Sequence, residues 1–236
     1  EELMAVLPEG EQFVGTRGGG MDHAAVLAAR PGCALRVSFE PLAVHSIPLP
    51  PDFAFLVAHS LTTAQKSGAA REEYNARRRA GHTALGRLGL TSYHEAREDD
   101  AGRLELPLER DSFLHVTSEA ARVRKAIACL ERADAGGFGA LLNASHASLR
   151  DRLRVSCAAL DALVEQALRA GALGARLTGA GFGGCAVVLC RREHRPAVRA
   201  RLIRDFYSNR PGFCEPQHLI DAEPGAGALA SRAALE

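Results

Sequence analysis

A globular fold that mixes helices with strands, in one large domain or two small ones, is what the sequence predicts. Three observations predict it. Short runs with strand patterning, Ala34–Phe39, Phe53–Ala58 and Ala186–Cys190, are separated by longer stretches rich in helix formers. A chain of 236 residues is long enough to bury a sizeable core. The composition, 47% hydrophobic and 24% charged, is ordinary for a soluble globular protein.

The elements follow in chain order. In Gly15–His23 a glycine run ends where the helix formers of Met21–Ala29 begin, so a helix start is expected at that junction. Ala34–Phe39 alternates with period two and reads as a strand, Ile47–Pro51 as a proline-marked connection, and the wholly apolar Phe53–Ala58 as a buried strand. Residues 68–88, charged and alanine-rich, predict a helix carrying Arg71, Glu72, Glu73 and Arg77–Arg79. Residues 89–112 look irregular and set a border between two halves, 1–111 and 112–236. Ser112–Ala133 reads as a helix with Glu119 on its wet side. Residues 143–171 read as helical material, with Leu160, Leu163, Val164, Ala167 and Leu168 as one apolar stripe and Gly171 and Gly174 as stops. A strand at 186–190, a helix at 195–208 and a loose Pro/Gly/Ala-rich end from 222 complete the chain.

Charge and cysteine content narrow the function. The 29 basic and 28 acidic side chains leave a formal charge of +1, which gives no sign of a nucleic-acid or membrane-surface partner. No apolar run approaches the roughly 20 residues of a membrane span, and the first residues lack the pattern of a signal peptide. Six cysteines, at 33, 129, 157, 185, 190 and 214, form no C-x-x-C pair. They read as small buried hydrophobes in a reducing compartment, which points to the cytoplasm. The first residue is Glu rather than Met, so the chain is expected to be a fragment.

Two glycine clusters carry the chemical signal. Arg176–Cys190 places glycines at 179, 181 and 184, the G-x-G-x-x-G spacing of a dinucleotide turn. That turn must lead into a helix whose N-terminus holds the pyrophosphate, whereas a strand follows here. Asp205 meets the count for a ribose-binding acid but lies inside the 195–208 helix. The dinucleotide reading is therefore rejected. A hairpin turn accounts for part of the pattern, yet four glycines in six residues exceed what a two-residue turn needs. The excess suits backbone lying close to a ligand or to another loop. In the second cluster, Gly18–Asp22, Asp22 meets bare backbone at a helix start. It could cap that helix or hold a hydroxyl group, and spacing leaves both open.

Gly15–His23, Glu73–Arg78, Ser145–Asp151 with Val155–Val164, and Gly174–Cys185 are four segments that together resemble the galactokinase group of the GHMP small-molecule kinases. Gly15-Thr-Arg-Gly-Gly-Gly-Met-Asp-His23 resembles the segment carrying that family's catalytic aspartate, and Glu73-Tyr-Asn-Ala-Arg-Arg78 its tyrosine-containing helix. Ser145–Asp151 with Val155–Val164 resembles its helical pair, and Gly174–Cys185 its third signature. They occur in the family's order and span almost the whole chain. Gly18–Asp22 together with Ala58–Leu61 and Gln65-Lys66 looks closest to the branch holding plant galactokinases and N-acetylgalactosamine kinases.

The resemblance implies an α+β GHMP kinase fold. Residues 1–111 would be the remainder of a ribosomal-protein-S5-like N-terminal domain, and residues 112–236 a ferredoxin-like C-terminal domain. Asp22 would be the catalytic aspartate beside the anomeric hydroxyl. Gly19 and Tyr74 would join it in the sugar site, and Gly179, Gly181, Gly183 and Gly184 would form the loop near substrate and phosphate. Ser145 and His146 match a serine–histidine pair of the family, for which capping or a helix-to-helix hydrogen bond is the plain expectation. A Ser/His/Asp hydrolase built from Ser145, His146 and Asp151 is set aside, since adjacent residues do not face one another and no G-x-S-x-G turn is present.

The implied activity is transfer of the ATP γ-phosphoryl group to C1 of galactose or N-acetylgalactosamine. ATP and Mg2+ would be cofactors, no metal ligand is assigned, and a cytoplasmic monomer without nucleic-acid or membrane partners is expected. Departures from the pattern exist. His23 stands in place of a glutamine and Leu153 in place of a frequent tyrosine. The family's front sugar-binding segment and serine-rich P-x-x-x-G-L-S-S-S-A nucleotide loop do not occur in this sequence. An impaired C-terminal portion of an enzyme is therefore expected, with a non-catalytic sugar-sensing or regulatory relative as the alternative.

Overall fold

The computed structural model describes residues 20–39, 41–63 and 69–229. The backbone divides into two compact units, which in these residues are 20–51 with 222–229, and 52–221. The first carries helix α1 (Met21–Ala28) and an antiparallel hairpin of β1 (Cys33–Phe39) and β2 (Leu42–Pro48). In α1, Ala24 and Leu27 are buried one turn apart, the spacing that puts both on one face. Strand β2 corrects the expected connection at 47–51. Its register runs from Cys33 opposite Pro48 to Phe39 opposite Leu42, and the closing proline is tolerated because it sits at the strand's end. The expected loose end is also corrected in part. Pro224 O accepts from Gly32 N–H, and Gly227 N–H donates to Ala29 O at 2.8 Å.

The second unit opens with β3 (Phe53–His59) and continues through α2 (Ala69–Leu88), a 3-10 turn (Glu98–Arg103), α3 (Pro107–Glu131), α4 (Ala135–Asp151) and α5 (Ala158–Arg169). Strands β4 (Gly174–Leu177) and β5 (Cys185–Arg191), helix α6 (Arg195–Leu202) and β6 (Leu219–Ala222) follow. The sheet order is β4-β5-β3-β6, so β3 and β5 are central and the chain threads them as two split β-α-β crossovers. That order is the ferredoxin-like arrangement. Its first strand is β3, and the expected border at 111/112 lies inside α3.

The apolar Phe53–His59 run is central for the reason its composition suggests. Ala54, Leu56 and Ala58 enter a core with Leu163, Val164 and Ala167 of α5, Ala186 and Val188 of β5, and Val198 and Leu202 of α6. Leu168, the fifth member of the expected α5 stripe, is 37% exposed and lies off that face. Helix α5 stops where expected at Gly171. Ala172 N–H reaches Ala167 O and Gly171 N–H reaches Leu168 O, the paired bonds of a glycine C-cap. Gly174 is no stop. A Cβ there would lie 2.6 Å from the Gly139 Cα, so these two glycines let α4 touch the start of β4.

Helix α4 also covers the open edge of β4. Asn143 Oδ1 accepts from Ala175 N–H at 2.9 Å, and His146 Nδ1 accepts from Leu177 N–H at 3.3 Å. Residues three apart on a helix share a face, as alternate N–H groups share a strand edge, so the two periods meet here.

Candidate functional site

Asp22 is the second residue of α1, exposed, and the cap position belongs to Gly20 at φ 77 and ψ 0. The capping role left open for Asp22 is therefore not the one it has. A carboxylate in a helix's first turn is favoured by the unsatisfied N–H groups there. Gly19 lies outside the described residues, as do Gly18 and Gln65-Lys66 of the expected motifs.

The second glycine cluster forms the connection between β4 and β5, with Leu177 opposite Ala186 and Thr178 N–H bonded to Cys185 O at 2.9 Å. It is thus a long hairpin loop followed by a strand, as its rejection as a dinucleotide turn requires. Gly179, Gly181, Gly183 and Gly184 all have positive φ, at 77, 85, 138 and 81, and Phe182 joins them at 60. Their environments differ. A Cβ on Gly179 or Gly184 would meet nothing within 4 Å, whereas one on Gly181 would collide with the Val155 carbonyl, 2.9 Å from its carbon. Gly181 is bare because the α4–α5 link passes against it. The open backbone at 179 and 184 is what a ligand could approach.

The loop is held within its run and at its far end. Phe182 N–H donates to Val155 O at 2.6 Å, and Gly184 exchanges bonds with the turn after β3, its O accepting from Ser60 N–H and its N–H donating to Thr62 O, each at 2.8 Å. That turn contains Leu61 at φ 62, whose N–H donates to His59 Nδ1 at 3.0 Å. Burial, with His218 adding to it, lowers the His59 pKa, which keeps Nδ1 available as the acceptor.

Tyr74 is half-buried on α2, one helical turn ahead of Arg77. The Arg77 side chain, 12% exposed, donates through Nε to Leu153 O and through Nη2 to Arg154 O at 3.2 Å, with its guanidinium 5.8 Å from the Phe182 ring centroid. The structure therefore brings together the Tyr74 helix, the 153–155 link and the glycine loop within one unit. Arg77 lies in the quoted Glu73–Arg78 segment, but no sequence pattern marks which of three consecutive arginines turns inward.

Ser145 and His146 are structural, as their plain expectation held. Ser145 Oγ donates to Glu119 Oε2 at 2.8 Å, so Glu119, expected on the wet side of α3, is instead tied between helices. Its carboxylate also pairs with Arg122 and lies 3.7 Å from the Arg176 guanidinium. His146 Nε2 sits 3.2 Å from Asp161 Oδ1, which also accepts from Ser156 Oγ. With Nδ1 accepting from β4, the His146 proton sits on Nε2, and burial lowers its pKa despite Asp161. Asp151 pairs with Arg150, so no triad forms. Deeper between α3 and α4, His115 Nδ1 meets Ser148 Oγ at 2.9 Å, and burial drives its pKa down to about 4.

All six cysteines are free. Cys129 and Cys190 are buried and Cys33, Cys157 and Cys185 half-buried, but Cys214 is exposed, which corrects its reading as a buried hydrophobe. Among the described residues no helix is long and apolar enough to cross a membrane.

Residues 116–209 match the family described as GHMP kinases C terminal. A galactokinase of Pyrococcus furiosus is 35% identical over 204 residues, covering 86% of this chain and 56% of the relative. One from Roseiflexus sp. is 35% identical over 243 residues, covering 98% and 61%. The chain thus spans less than two thirds of the length of these curated relatives. Among solved structures, a Lactococcus lactis galactokinase complexed with galactose superposes with a TM-score of 0.81 at 26% identity, covering 92% of this chain and 57% of that one. An L. major mevalonate kinase in complex with R-mevalonate shares the fold, with a TM-score of 0.55 at 20% identity over 83% and 49%. The split sheet, the glycine loop bound into it and these matches agree: the chain has the GHMP kinase fold and carries, over residues 116–209, a GHMP kinase C-terminal domain.

Proposed function

We propose that the protein carrying this chain is a sugar 1-kinase of galactokinase type. It would transfer the γ-phosphoryl group of MgATP to the C1 hydroxyl of galactose, with N-acetylgalactosamine as the alternative sugar. What carries the proposal is the likeness to the Lactococcus lactis galactokinase complexed with galactose, at 26% identity over 92% of this chain.

In the proposed step Asp22 accepts the proton of the C1 hydroxyl as that oxygen bonds to the γ-phosphorus. The bond to the bridging oxygen breaks, and ADP leaves with its electron pair. Phosphoryl transfer rests on positioning and charge stabilisation, so one well-placed carboxylate suffices as base. The exposure of Asp22 suits a group that must reach a ligand. Tyr74 and Gly19 are assigned to the sugar. Gly179 and Gly184, whose Cβ positions are open, and Gly183 are assigned to the phosphate side, with Gly181 seating the loop. MgATP supplies the phosphoryl group and neutralises its charge. Among the described residues no group of three His, Cys, Asp or Glu side chains could hold a metal ion, and we assign magnesium no ligand among them. The six free cysteines support a reducing cytoplasm, and a monomer is the proposed state.

Sugar-dependent ADP release by the full-length protein tests the reading. Asp22→Ala should lower kcat by about 10²–10⁴-fold with sugar binding retained, the range a general base supplies. Unchanged turnover would sink the role of Asp22. A wild-type protein that binds sugar without any turnover would replace the kinase with the sugar-sensing alternative.

A further inference from the structure

Three consecutive carbonyl oxygens in the link between α4 and α5 serve two different partners. Leu153 O and Arg154 O accept from Arg77 on α2, the second at 3.2 Å, while Val155 O accepts from Phe182 N–H in the glycine loop at 2.6 Å. Arg154, in the middle of the three, stands at φ 53, a left-handed conformation costly for a side chain of its kind. Arg77 reaches past the link as well, its guanidinium 5.8 Å from the Phe182 ring centroid. A second hold on its own helix comes from Nη1 to Glu73 O at 2.8 Å and Nη2 to Glu73 Oε2 at 3.4 Å.

We propose that Arg77 is a positioning residue that fixes the glycine loop relative to the Tyr74 helix, by clamping the 153–155 link on which the loop rests. The proposal rests on the sugar-kinase reading, in which Tyr74 faces the sugar and the loop faces the phosphate. Arginine suits the task because its planar fork donates along several directions at once and can stack on an aromatic ring, which an ammonium cannot match. Helix α2 and the loop share no strand or helix ladder. Among the described residues Arg77 joins them, through the link and through its contact with the Phe182 ring, so removing its donors should loosen the loop while the sheet beneath it stays paired. A loop displaced by about 1 Å costs on the order of 10²-fold in turnover, because reacting groups must be held in line.

The experiment compares wild type, Arg77→Met and Arg77→Lys in the full-length protein. Amide exchange of the loop and of β5 is followed alongside kcat and the sugar KM. In Arg77→Met the Phe182 amide should exchange at least about tenfold faster, while Val188 in β5 keeps its protection. In the same variant kcat should fall at least about tenfold with KM within about threefold, and Arg77→Lys should recover part of the loss. Unchanged Phe182 exchange overturns the proposal. So does equal loss of protection in β5, which would make Arg77 a general stabiliser, and so does a loosened loop with unchanged kcat. If the wild type phosphorylates no sugar, the kinase reading falls together with the catalytic half of this proposal. The exchange comparison then still decides whether Arg77 holds the loop.

Discussion

Replacing Gly181 and Gly179 by alanine, one at a time, separates backbone conformation from contact in the glycine loop. Both glycines have similar left-handed φ, 85 and 77, so each alanine bears the same conformational penalty of about 1–2 kcal/mol. Only Gly181 has a neighbour. Its new Cβ would collide with the Val155 carbonyl, whereas at Gly179 nothing lies within 4 Å. Overpacking of this kind costs about 1–3 kcal/mol when the structure holds its place. If the loop lifts away instead, it forfeits the Phe182 N–H bond, about 1 kcal/mol, and the Arg77–Phe182 contact, about 0.5–1 kcal/mol. Either way Gly181→Ala should be less stable than Gly179→Ala by about 1–3 kcal/mol. Urea denaturation midpoints at a common m-value measure the difference directly. Equal midpoints for the two variants would refute the idea that Val155 is why residue 181 is glycine.

Other measurements probe the scaffold around the site. His115 has its pKa lowered from 6.5 to about 4, chiefly by burial, so the unfolded chain takes up a proton before the native one does. Its contribution is complete above pH 6.5 and is lost as pH falls towards 4, about 3 kcal/mol in all. Denaturation midpoints between pH 4 and 8 should show this slope, and His115→Asn, which cannot titrate, should reduce it while His59 and His146 keep their own share. Asn143→Ala should cost about 1–3 kcal/mol in denaturant melts, because it strands the Ala175 N–H and Leu173 O that Asn143 joins across the edge of β4. Gly139→Ala should cost about 2–4 kcal/mol in the same melts, since its Cβ would lie 2.6 Å from the Leu173 carbonyl carbon and push α4 off the sheet. A loss below about 0.5 kcal/mol in either variant would count against the edge-covering role of α4.

Much of the fold can be read along the chain, because local pattern reflects local environment. Phe53–Ala58 is apolar at every position, and the sheet places it between β5 and β6, with Ala54, Leu56 and Ala58 in the core and Phe55 and Val57 half-buried on the other face. The strand after the glycine loop is evident from Ala186–Cys190, and that strand is enough to exclude a dinucleotide turn. Where a side chain's partner lies far off in sequence, the pattern says little. The β2 strand carries His45 and Ser46 on an exposed hairpin and ends in proline, so its alternation is diluted below recognition. Helix α4 has Gly136 and Gly137, poor helix formers, in its first turn, yet Asp134 caps it through Gly137 N–H at 2.8 Å.

By itself the sequence determined that strands and helices alternate, that a helix starts beside Asp22, that a glycine loop joins two strands, and that four segments follow the galactokinase pattern. Tertiary structure alone decided what each polar group does. Ser145 and Glu119 become a tie between helices, His146 a lid on an open strand edge, and Gly181 a seat for the Val155 carbonyl. Arg77, one of three adjacent arginines, is the one whose carbonyl partners lie 76 and 77 residues away. Side-chain periodicity records which face is apolar; it does not record which distant backbone carbonyl a guanidinium will meet, because that depends on how α2 and the α4–α5 link pack together.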